Sequence, residues 1–111
     1  MAGKFELKKS KSGQFMFHLK AGNNQIVLTS EQYRDKAGAL NGIESVKMNS
    51  GNDANFEIKT AKNGQPFFVL KSPNKQVVGS SEMYSSVSSL KGGIVSVKTN
   101  AKKARLVDLS A

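Results

Sequence analysis

The chain has 111 residues, with 17 Lys+Arg against 8 Asp+Glu, a formal charge of +9, one His and no Cys. This length suits a single domain, and without Cys neither a disulfide nor a thiolate metal site can form. The most apolar stretch, Phe67-Phe68-Val69-Leu70, is far shorter than the roughly 20 residues of a membrane-spanning helix.

An offset of 51 residues aligns 5–50 with 56–101 without a gap, and 21 of the 46 positions are identical. The chain therefore reads as a duplication: repeat 1 over 4–50, repeat 2 over 55–101, and a C-terminal strand over 102–109. Each repeat opens on a strand. Phe5 and Leu7 alternate with Glu6 and Lys8, as Phe56 and Ile58 do with Glu57 and Lys59, the period of a half-buried strand. A turn follows at Lys11-Ser12-Gly13 or Lys62-Asn63-Gly64. Asn-Gly predicts a type I′ hairpin.

The second strand is Phe15–Lys20 or Pro66–Lys71, with Phe17/Phe68 and Leu19/Leu70 kept in both repeats as the core face. Pro66 belongs at a strand start or an edge. After a second turn, the third strand is Gln25–Thr29 or Gln76–Ser80. The period then changes. Val87, Leu90, Ile94 and Val97 share one helical face, as do Lys36, Ala39, Ile43 and Val46. Asp35 and Ser86 are the expected N-caps. Asn49 and Asn100 are the expected left-handed residues at the helix ends. Gly42 and Gly93 lie inside these helices, where glycine costs about 1 kcal/mol, so close packing is expected there. Leu106-Val107 stands where a third copy would begin its first strand.

The repeated motifs Phe-Glu-apolar-Lys, Gly-Gln, Ser-Glu-x-Tyr and Gly-Ile-x-Ser-Val-Lys-x-Asn closely resemble the YegP-like family of small bacterial proteins, over nearly the whole chain. The resemblance implies an α+β fold: two strand-strand-strand-helix repeats form one antiparallel sheet with both helices on one face. A pseudo-twofold would relate the repeats, and the C-terminal strand would be exchanged between them. The tandem form implies a monomer. The family offers no established activity to carry over.

Chemistry is sparse. His18 is the only histidine and its counterpart in the other repeat is Val69, which points to packing or surface rather than acid–base work. Glu6/Glu57 fit exposed pairs with strand lysines, and Glu31/Glu82 fit backbone N–H groups ahead of the helices. Ser30/Ser81, Tyr33/Tyr84 and Ser45/Ser96 are duplicated, but no duplicated base accompanies them. No metal or cofactor site is expected, and the chain reads as non-enzymatic.

Positive charge is the remaining signal. Lys8/Lys59, Lys20/Lys71 and Lys47/Lys98 are duplicated, and between Glu82 and Asp108 there is no acid but Lys91, Lys98, Lys102, Lys103 and Arg105. That run is the candidate anion-binding site. The expectation is a small basic binding protein for an anionic macromolecule such as nucleic acid, or for an acidic protein. The alternative is a protein-interaction module using the open sheet face, where Met16 or Phe67 would supply apolar contact. Without Cys or an apolar N-terminal region, a cytoplasmic location without a signal peptide is expected.

Overall fold

Four similar loops shape the strands in the computed structural model, which describes residues 3–110. In the first, Ser10 N–H donates to the Gln14 carbonyl at 2.7 Å and Gly13 N–H to the Ser10 carbonyl at 3.0 Å. Gly13 then takes φ 85°, as Gly64 does in the matching loop of repeat 2, a conformation glycine reaches without steric cost. Asn24 (φ 73°) and Lys75 (φ 68°) hold the same place in the other two loops. Each loop is a turn followed by one left-handed residue. The type I′ turn expected at Asn63-Gly64 would need positive φ at both positions, and Asn63 does not have it.

The elements in chain order are β1 (Lys4–Lys9), β2 (Phe15–Lys20), β3 (Ile26–Ser30), α1 (Lys36–Asn49), a 3-10 turn (Asp53–Asn55), β4 (Phe56–Thr60), β5 (Pro66–Lys71), β6 (Val77–Ser80), α2 (Val87–Ala101) and β7 (Arg105–Asp108). Asp35 Oδ1 accepts from Gly38 N–H at 2.7 Å, and Ser86 Oγ from Ser89 N–H at 3.1 Å, so both helices start at their expected caps. Their ends differ from expectation. Ser50 and Lys102 close the helices in right-handed conformation. Asn49 and Asn100 stay helical and donate back to the carbonyls of Ser45 and Ser96 at 2.9 and 2.8 Å.

The strands form one seven-stranded sheet in the order β4-β5-β6-β3-β2-β1-β7. All neighbours are antiparallel except β7, which runs parallel to β1. The sheet is therefore mixed, not purely antiparallel as expected. The cause is where α2 ends. A side chain at Gly3 would meet Asn100 Oδ1 at 3.0 Å, so the chain re-enters the sheet beside the start of β1 and follows it in the same direction.

The repeats meet at the β3–β6 seam, where Thr29 pairs with its own repeat equivalent, Ser80. Helix α1 reaches across to β5 and β6, and α2 to β2 and β3. The helices cover one face of the sheet, enclosing Phe5, Leu7, Phe17, Leu19, Leu28, Phe68 and Leu70 with Val46, Leu90 and Val97, all fully buried. Three positions of the expected helix stripes depart, Lys36 being exposed. Val87 is 48% exposed, and Ile94 is half-buried whereas Ile43 is buried.

Candidate functional site

Most of the duplicated polar residues are occupied by the fold. Ser30 Oγ accepts from Phe17 N–H at 2.8 Å and donates to the Glu31 carbonyl; Ser81 repeats this with Phe68 and Glu82. Ser45 and Ser96 take hydrogen bonds from Asn49 and Asn100. Tyr33 stacks on Phe17 with ring centroids 6.3 Å apart, and Tyr84 on Phe68 at 6.2 Å. A Cβ at Gly42 would stand 2.4 Å from the Tyr33 hydroxyl, and one at Gly93 2.0 Å from that of Tyr84. The helical glycines admit these rings, which is the close packing the sequence implies.

The uncovered face of the sheet carries what remains. Strand register sets Val107, Glu6, His18, Thr29, Ser80, Val69 and Glu57 in one row across all seven strands. Arg105, Lys4 and Lys20 form the beginning of a second row. Lys8 stands beside Met16, and Lys59 beside Phe67. Alternation of side chains puts Lys8, Lys59 and Lys71 on this same face. Met16 and Phe67 are both half-buried.

Glu6 is the anchor of this surface and differs from expectation. It is 7% exposed, with Lys20 at 3.0 Å, Lys4 at 3.4 Å and Lys8 at 3.9 Å. The Lys20 contact holds its carboxyl below the usual carboxylate range against the opposing effect of burial, with Lys4 assisting. Glu57 stays exposed, as expected, and bonds Lys71. His18 Nδ1 lies 3.1 Å from Thr29 Oγ1. Burial, then Lys8 and Lys20, lower its pKa from the ordinary 6.5, so the ring is neutral at pH 7.

The five cations singled out from the sequence lie along α2, just beyond its end, and on β7. Lys91 and Lys98 line a groove between α2 and β4, where Lys98 pairs with Asp53 at 2.5 Å. Lys102 follows them along the helix and lies near Gly51, with Lys103 exposed beside it. Only Arg105 joins the sheet face, beside Lys4. Lys8, Lys20, Lys59 and Lys71 of that face were visible in the sequence as duplicated strand residues, whereas Lys4, whose counterpart is Asn55, was not. What hid their grouping was that a run in sequence does not reveal a row across strands.

Two segments, 10–57 and 61–108, match the family described as "Domain of unknown function (DUF1508)". The chain belongs to this DUF1508 family. UPF0339 proteins of Pasteurella multocida and Pseudomonas aeruginosa are each 53% identical to it, over 97% and 99% of this chain and 95% and 100% of theirs. The solution structure of YegP from Escherichia coli superposes with a TM-score of 0.95 at 48% identity, covering all of this chain and 96% of that one. That of the Shewanella oneidensis UPF0339 protein gives 0.92 at 49% identity, covering 99% and 93%. Each DUF1508 segment starts near a hairpin loop and ends in the strand after a helix. In that frame β4 and β7 occupy the same place in the unit.

Proposed function

We propose that this chain is a non-enzymatic binding protein whose open sheet face takes an anionic macromolecule, nucleic acid foremost. One observation carries the reading: among the described residues, Arg105, Lys4, Lys8, Lys20, Lys59 and Lys71 share the uncovered face and outnumber the carboxylates Glu6 and Glu57 in its strands. A broad face with excess positive charge attracts phosphates without reading sequence. The tandem repeats act as a pseudo-twofold pair within one monomer, and β7 is the strand that repeat 2 lends to repeat 1. Lys102 and Lys103 extend the positive field at the end of α2.

Binding of a labelled single-stranded oligonucleotide, followed by anisotropy at low salt, tests this. The wild type binds weakly, with little sequence preference and a steep loss on adding salt. Changing Lys8→Glu with Lys59→Glu removes two phosphate contacts and reduces the salt slope by about 2. The Lys102→Glu, Lys103→Glu, Arg105→Glu variant weakens binding less. Equal binding by wild type and the Lys8/Lys59 variant, or no binding by either, overturns the reading. A second reading, an acidic protein docking on the same face, draws on Met16 and Phe67 among the lysines. It predicts that an acidic peptide, rather than DNA, competes for Lys8 and Lys59.

A further inference from the structure

The repeats open on equivalent strands, β1 and β4, yet only β1 has a neighbour on both sides. β1 lies between β2 and β7, while β4 has β5 alone. Phe5 and Leu7 are fully buried and Glu6 nearly so, whereas Phe56 is half-buried, Ile58 is 46% exposed and Glu57 is exposed. The helix above repeats the contrast, with Ile43 buried and Ile94 half-buried. Beside β4 this leaves a groove of about 340 Å³ whose apolar lining is Phe56, Ile58, Ile94 and Val95.

We propose that the outer edge of β4 docks an extended segment of another protein chain, added as a parallel strand with apolar residues at alternate positions. The molecule contains the template. Arg105, Leu106, Val107 and Asp108 stand opposite Lys4, Phe5, Glu6 and Leu7, and Leu109 N–H donates to the Leu7 carbonyl at 2.8 Å. The guest takes the same register against Asn55, Phe56, Glu57 and Ile58, and the backbone of an open edge strand supplies the hydrogen bonds.

The repeats also differ in a way that sets the guest's sequence. Asp108 of β7 is paired with Lys36 of α1. The repeat equivalent of Lys36 is Val87, 48% exposed. A carboxylate opposite Ile58 would face Val87 in place of that lysine, the groove's own cations Lys91 and Lys98 standing farther along α2, so the guest carries an apolar residue where β7 carries its aspartate. This disfavours β7 of a second copy as the occupant. It bears the wrong residue, and leaving its own sheet would uncover Phe5 and Leu7.

The test uses two synthetic peptides: residues 104–110 of this chain, and the same peptide with Asp108→Leu. Both are amidated at the C-terminus, so the second contains no acid, the basic sheet face does not attract it, and its result is independent of the anion-binding reading. In ¹H–¹⁵N spectra of the full chain, the Asp108→Leu peptide produces saturable shifts confined to β4 and the Val87–Lys98 segment of α2. The natural-sequence peptide binds about tenfold more weakly, the loss expected from placing a carboxylate against apolar surface. Ile58→Lys, at an exposed edge position, abolishes the shifts while leaving the rest of the spectrum in place. Val87→Lys reverses the preference between the peptides. Shifts on the open sheet face, absence of saturation at millimolar peptide, or an unchanged preference in Val87→Lys overturns the proposal. So does concentration-dependent self-association through β4 without peptide.

Discussion

At the scale of single residues, adjacent glycines in α2 have opposite roles. Gly93 is buried under Tyr84, and a Cβ there would meet the ring hydroxyl at 2.0 Å, while Gly92 has nothing within 4 Å. Gly93→Ala should therefore cost about 1–3 kcal/mol by overpacking. Gly92→Ala should gain up to about 1 kcal/mol from helix propensity. Urea unfolding midpoints of both variants check this pair. The equivalent isoleucines should separate as well. Ile43→Ala is expected to cost about 2–5 kcal/mol and Ile94→Ala clearly less, because Ile94 borders the open groove. The sequence made Gly93 conspicuous as a helix interruption duplicated at Gly42. It did not distinguish Ile43 from Ile94, because their difference comes from a strand far away in the chain.

At the scale of elements, the hairpins and helices were readable because their signals are local: alternation, turn glycines, and caps at Asp35 and Ser86. β7 was readable as a strand by its offset, but its direction was not, since that depends on where α2 delivers the chain. Its attachment should respond to acid. Asp108 is held at about 2, below its ordinary 3.8, by Lys36 and then Ser110. Glu6, which lies beside Val107 in the sheet, is also lowered. Groups with depressed folded-state pKa values stabilise above the unfolded value and lose that contribution as pH falls through the folded one. Amide protection in β7 should therefore hold above about pH 4 and fall toward pH 2, ahead of protection in β5. Asp108→Asn should remove the Asp108 share of this acid sensitivity and leave that of Glu6, as hydrogen exchange across the same range would show.

At the scale of the whole molecule, neither repeat encloses its own core. α1 packs against β2 of its own repeat and also against β5 and β6, and α2 against β5 and also against β2 and β3, and a unit of about 50 residues has marginal burial alone. Residues 1–51 expressed by themselves should lack dispersed methyl signals and cooperative unfolding. The intact chain should scatter light as a monomer of 12.0 kDa; a stable dimer at micromolar concentration would contradict this. The architecture was legible because duplication marked which positions the unit requires. The candidate site was legible only in its ingredients. Lysines on alternate strand positions announce an exposed face, but their assembly into rows depends on strand order, and strand order leaves no local trace.

The seam between the repeats has one further consequence. Leu28 and Gly79 are equivalent positions, and the Leu28 side chain fills the space that Gly79 leaves: a Cβ at Gly79 would stand 3.0 Å from Leu28 Cγ. One large residue fits there, not two. Two copies of repeat 1 paired in this way would set leucine against leucine, and two copies of repeat 2 would leave a void. The halves have become lock and key to each other. Their shared ancestry is still plain in the sequence, yet neither can now return to a life as a self-pairing unit without first changing this one contact.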